Sequence, residues 1–168
     1  MTGVDIEVDG LAKRFGPVAA VSDATFTARF GRVTGFVGPN GAGKSTTLRM
    51  LMGLVGADAG TARFGGLAYR DIPDPSATVG AVLDIASAHP VMSAVGHLRT
   101  YATLGGHPRS RVDRVTELTA LTSFASRRIR GFSTGMRQRF ALATALLGDP
   151  GVLVLDEPAN GLDPAGII

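Results

Sequence analysis

The spacing of apolar residues changes four times along the chain. From Val4 to Val37 apolar and polar positions alternate in short runs, "VDIEVDGL", "ATFTARF" and "RVTGFVG", which predicts three strands of a sheet-building region. Between Lys44 and Leu54 the apolar residues Leu48, Leu51 and Met52 fall at helical spacing, and Gly53 and Gly56 follow as stop signals, so a helix is expected there. Two further short strands are expected at "TARFG" and at "VGAVLD", Val79 to Asp84. The pattern then turns helical. Val112, Val115, Leu118 and Leu121 form one predicted apolar stripe, and Met136, Phe140, Ala143 and Leu147 form another, both of them core-facing. After the turn "GDP" at Gly148 to Pro150, the continuous run "VLVLDEP" predicts a strand covered on both faces. Strands alternating with helices indicate an α/β fold with a mostly parallel central sheet.

Composition narrows this picture by exclusion. A chain of 168 residues, 45% of them hydrophobic, can bury the core of one domain, which rules out intrinsic disorder. There is no cysteine, hence neither a disulfide framework nor a thiolate metal site, and His89, His97 and His107 lack metal-ligand spacing. The opening "MTGVDIEVDG" does not read as a secretory signal, and the longest apolar run, Phe140 to Leu147, is far short of the ~20 residues that cross a bilayer. Any work at a membrane is therefore expected of a soluble piece. The net charge is +3, with nine arginines against two acids between Arg99 and Arg139. Without interleaved aromatics for base stacking, that patch reads as a solvated helical surface, and no nucleic acid is expected as partner.

The chemistry is concentrated in two stretches. In "FVGPNGAGKSTTL", Phe36 to Leu48, the glycines Gly38, Gly41 and Gly43 let the backbone curl so that successive N–H groups point at phosphate oxygens. The helix starting near Lys44 adds its partial positive charge, Lys44 can reach the terminal phosphates, and the Ser45 hydroxyl can take the Mg²⁺ that bridges them. In "VLVLDEP", Asp156 and Glu157 end a buried strand as two adjacent carboxylates, a costly burial unless a cation relieves it. Mg²⁺ on Asp156 would do so, leaving Glu157 to accept the proton of a water attacking the terminal phosphate.

A third stretch, "GFSTGMRQR" from Gly131 to Arg139, resembles the signature of the ATP-binding cassette (ABC) transporter nucleotide-binding domain, with Phe132, Ser133, Thr134, Gly135 and Met136 at the positions of Leu-Ser-Gly-Gly-Gln. "LAKRFG" and "PANGLDP" extend the resemblance along the whole chain, and the variants "STGMRQR" and "NGLDP" are most similar to multidrug, antibiotic and bacitracin-type exporters. The resemblance implies a P-loop NTPase with a mostly parallel central sheet, an antiparallel β subdomain and a helical subdomain. Residues 1–85 and 148–168 would form the nucleotide-binding core, and about 86–147 the helical part. It implies ATP and Mg²⁺ as cofactors, with Phe15 stacked on adenine. The phosphates would lie on Asn40, Gly41, Ala42, Gly43, Lys44, Ser45 and Thr46. Ser133 and Gly135 would complete the ATP site of a second cassette in a head-to-tail dimer, and Asp163 would take the place of the inter-protomer aspartate.

The implied partner is an integral-membrane transporter subunit, and the implied location is the cytoplasmic face of the plasma membrane. Three departures qualify this. Thr134 and Met136 replace a signature glycine and glutamine, and Asp84 stands where the family has a Mg²⁺-sensing glutamine. The family also continues through a further strand bearing a switch histidine, whereas this sequence ends at Ile168. The expectation is a cassette truncated after its D-loop, its C-terminal strands missing. Two rivals to the transport ATPase are a cassette that only binds nucleotide or a partner, and an ATPase outside transport.

Overall fold

β1 (Ile6–Phe15) and β2 (Val18–Ala28) fold back on each other across Gly16 and Pro17, and β3 (Ala59–Phe64) adds to the free side of β1, giving an antiparallel sheet of order β2–β1–β3. The computed structural model describes residues 3–83 and 88–158. Contacts divide the chain into two compact units, Met1–Pro75 and Ser76–Ile168.

In the first unit Val8 and Leu11 are both buried although three apart, an odd spacing that would put them on opposite faces of a regular strand. The register with β2 shifts between them, and this irregularity returns both to the core with Val21 and Phe64. Helix α1 (Lys44–Leu51) covers that core with Thr47, Met50 and Leu51 and packs against all three strands. It stops where expected, at Gly53 with φ 68°.

The expected strand at "RVTGFVG" does not form among the described residues. An extended segment becomes a strand only when a neighbour satisfies its backbone groups, and none of the described strands pairs with Arg32–Gly38. Val33 and Val37 are exposed, while Phe36 leans on Phe26 with ring centroids 5.1 Å apart.

A helical turn, α2 (Pro75–Thr78), leads into the second unit, which holds β4 (Val79–Val82), α3 (Ala94–Leu104), α4 (Ser110–Leu118), α5 (Thr134–Ala145) and β5 (Val152–Leu155). β4 and β5 pair in parallel from Val79↔Val152 to Val82↔Leu155, with α5 packed on β4. β5 is not covered on both faces: among the described strands it pairs with β4 alone, and Leu153 is 42% exposed. Leu98, Val112, Val115, Leu121, Phe132 and Phe140 fill one continuous core between α3, α4 and α5. Three of the four residues in the first predicted stripe are in it, but Leu118 is exposed. Successive steps of three fall behind the 3.6-residue turn, so Thr119 takes the buried place and returns its hydroxyl to the Val115 carbonyl at 2.7 Å. Arg111 ties α4 to the end of α5, donating to the Leu146 and Leu147 carbonyls and pairing with Asp149 at 2.8 Å.

His97, on α3, is the buried titratable group of this core, stacked on Tyr101 at 4.3 Å and edge-on to Phe140 at 5.0 Å. Burial disfavours its cation and pushes its pKa below the ordinary 6.5. The unfolded chain therefore takes up this proton first as pH falls, so stability is full above about 6.5 and declines below it until the folded form also protonates. The urea midpoint of the wild-type protein should fall more steeply between pH 7 and pH 5 than that of His97→Phe. Parallel pH profiles would contradict this.

Candidate functional site

In the first unit the candidate residues gather where α1 meets the β1–β2 hairpin. Gly43 caps α1 in a left-handed conformation, φ 84°, and a Cβ placed there would lie 2.1 Å from the Ala20 carbonyl oxygen of β2. Only glycine fits both constraints, so the loop is seated directly on the strand. Gly41 is also left-handed, at φ 82°, with open space around it. Between these the chain turns tightly, Ala42 N–H donating to the Pro39 carbonyl at 3.2 Å. Lys44 folds back into the loop and donates to the Gly38 and Pro39 carbonyls at 2.8 and 2.9 Å. Two of its three ammonium protons are thereby used, and its position is fixed by the loop it serves. Thr47 locks the first turn, its hydroxyl and N–H both donating to the Gly43 carbonyl. Asn40 and Gly41 are exposed, while Ser45 and Thr46 are half-buried in the first turn of α1.

Phe15 ends β1 opposite Val18 and is 51% exposed, which makes it a surface ring and not a core phenylalanine. Lys13 lies over that ring at 5.6 Å and bridges to Asp58 at 2.7 Å. The hydrogen bond from Lys13, reinforced by the Arg14 N–H, holds the Asp58 carboxyl below its usual range.

In the second unit Ser133 caps α5, its hydroxyl accepting from the Met136 N–H at 3.3 Å. Ser133 and Thr134 are exposed and Gly135 is half-buried, so the helix starts at the surface on small residues. Arg137 secures the entry to the helix through the Phe132 and Arg130 carbonyls. At the other end of the motif, the Asp156 N–H extends the β4–β5 ladder by donating to the Val82 carbonyl at 2.8 Å. Glu157 then turns left-handed, φ 48°. For a residue with a Cβ that conformation costs about 1–3 kcal/mol, a cost the neighbouring contacts must offset. The expected burial of both carboxylates is corrected: Asp156 is half-buried and Glu157 exposed, because the strand ends before them. Asp84 and Asp163 lie outside the described residues.

Sequence reasoning placed Gln138 inside the signature-like stretch but gave it no role. It is buried in the second turn of α5, and its Nε2 donates to the Pro158 carbonyl at 2.6 Å and the Glu157 carbonyl at 3.5 Å. No spacing rule ties a glutamine to a strand end 19 residues later, so only the fold brings them together.

The family profile described as "ABC transporter" matches residues 21–160. The chain is 38% identical over 164 residues to the uncharacterized ABC transporter ATP-binding protein YhcH of Bacillus subtilis, covering 96% of this chain and 54% of that protein. It is 35% identical to the bacitracin transport ATP-binding protein BcrA of Bacillus licheniformis, again covering 96% of this chain and 54% of that one. The chain thus spans about half the length of the curated relatives it matches. Among solved structures, an ATP-binding subunit of an ABC transporter superposes with a TM-score of 0.83 at 27% identity, covering 96% of this chain and 70% of that one. The expected α/β P-loop fold, with its antiparallel sheet, parallel strands and helices, is borne out.

Proposed function

The chain belongs to the ABC transporter family, and on that premise we propose that it forms the ATP-binding and ATP-hydrolysing part of an exporter subunit. The observation that carries this is Lys44, folded into a glycine loop whose last residue, Gly43, admits no side chain. Such a loop presents backbone N–H groups, a helix N-terminus and one remaining ammonium proton to the same anion. The backbone of Asn40 to Thr46 holds the phosphates, and the exposed Phe15 ring stacks on adenine.

Mg²⁺ fits the donor types present, since the Ser45 hydroxyl and the Asp156 carboxylate are the hard oxygens it takes beside phosphate and water; Asp84 is a further carboxylate of this type. When bound, the ion neutralises charge on the phosphates. Glu157, an exposed residue, orients a water and takes its proton at a carboxylate oxygen. Ser133 and Gly135 serve the ATP of a second cassette, in a dimer docked on an integral-membrane subunit. No helix among the described residues is long and apolar enough to cross a membrane. The proposed location is the cytoplasmic face of the plasma membrane. Since one relative is named for bacitracin transport, an antibiotic or drug is the proposed cargo class.

Titration of the full-length protein with a fluorescent ATP analogue tests the loop assignment. The wild type should saturate, and Lys44→Ala should weaken binding by about tenfold or more through loss of a charge-assisted contact. Equal affinity in both would refute the assignment.

A further inference from the structure

We infer that Gln138 is a positioning residue for the Glu157 carboxylate, tying the helix that begins at Ser133 to the strand end that carries the acid. This rests on the role proposed above for Glu157. The geometry is specific. Gln138 is 6% exposed, and its Nε2 reaches two consecutive carbonyl oxygens, those of Glu157 and Pro158, at 3.5 and 2.6 Å. Carbonyl oxygens only accept, so the orientation of this amide is fixed by chemistry: the nitrogen must face them. That orientation strands the other end of the side chain, and Oε1 is buried with no hydrogen-bond partner among the described residues. A methionine or leucine would occupy the same space without the cost of an unmatched acceptor. The return on the amide is therefore the pair of bonds to the Glu157 and Pro158 carbonyls.

Those bonds fall on one of the three left-handed non-glycine residues described in this unit, the others being Ala120 and Asp149. Immediately before Glu157, the Asp156 N–H is anchored to the Val82 carbonyl at 2.8 Å. Glu157 itself holds a left-handed backbone at φ 48°, and the two carbonyls that follow are the ones Gln138 grips. The reversal is thus held on one side by the β4–β5 ladder and on the other by α5. Gln138 lies in the second turn of a helix whose N-cap is Ser133, and a hydrogen-bonded helix moves as a stiff body. A shift of the Ser133 end would be transmitted to the Glu157 backbone through this side chain. Gln138 touches no reacting atom; it acts by fixing where the carboxylate stands.

Gln138→Met keeps length and shape and removes both N–H donors. In the full-length protein it should lower kcat for ATP by about tenfold or more while KM stays within about twofold, since misplacing a base affects the transition state and not ground-state binding. Exchange of the Asp156 amide should become about tenfold faster, as the reversal loses its anchor on α5. Gln138→Glu adds a readout that space-filling cannot mimic, because only a protonated carboxyl can donate to the Pro158 carbonyl. Its rate relative to wild type should rise as pH is lowered. If Gln138→Met does not fold, Gln138→Glu decides by the same measurements. Unchanged kcat with unchanged Asp156 exchange would overturn the inference, and so would a rise in KM alone. A wild type that binds ATP without hydrolysing it would sink the proposed function instead, and the exchange rate would still decide whether Gln138 holds the turn.

Discussion

Gly43→Ala should abolish nucleotide binding and destabilise the first unit by about 2–5 kcal/mol. Two costs add. A left-handed backbone at φ 84° costs an L-residue about 1–2 kcal/mol. A Cβ placed 2.1 Å from the Ala20 carbonyl oxygen and 2.8 Å from Val21 must also push strand or loop apart, and such overpacking costs about 1–3 kcal/mol. The obstruction is backbone, which cannot turn aside as the end of a long side chain would. Moving the loop off β2 displaces Lys44, the next residue, from the carbonyls of Gly38 and Pro39. Gly41→Ala is the control: the same sign of φ, at 82°, but nothing within 4 Å, so only the conformational cost of about 1–2 kcal/mol applies. Urea unfolding followed beside ATP titration separates the two. Equal losses in both variants would show that the contact with Ala20 does not hold the loop.

Glu157→Gln should cut ATP turnover by about 10²–10⁴, the range that a positioned general base contributes, and leave ATP affinity within about twofold. The substitution preserves size and hydrogen-bonding reach but cannot take up a proton at neutral pH. It also leaves the backbone anchors untouched, since the Asp156 N–H, the Glu157 carbonyl and the Pro158 carbonyl are main-chain groups. A loss of binding comparable to the loss of turnover would mean that the carboxylate shapes the ATP site without serving as its base.

The parts of the fold and site that were legible in the sequence are those encoded over short distances. Gly38, Gly41, Gly43 and Lys44 occupy a loop whose geometry follows from local backbone freedom and a following helix, and the Ser133 cap follows from one hydroxyl three residues before a helical N–H. What was not legible depends on partners distant in the chain. The alternation in "RVTGFVG" is as strand-like as that in "ATFTARF", yet among the described residues only the second has a neighbour to pair with. Leu118 was misplaced because an every-third-residue pattern drifts around a helix, and Thr119 holds the buried position. The exposure of Glu157 and its link to Gln138 depend on where β5 ends against α5, which no local pattern encodes.

The central claim is that the glycine loop holds a triphosphate which Glu157 then helps to cleave. Mg-ATP labelled in its γ-phosphate, incubated with the full-length wild type and with Glu157→Gln and then separated from free nucleotide by gel filtration, tests it most directly. The account predicts intact ATP eluting with Glu157→Gln, and ADP with released phosphate from the wild type. Phosphate released by Glu157→Gln at the wild-type pace, or no nucleotide retained by either protein, would contradict it.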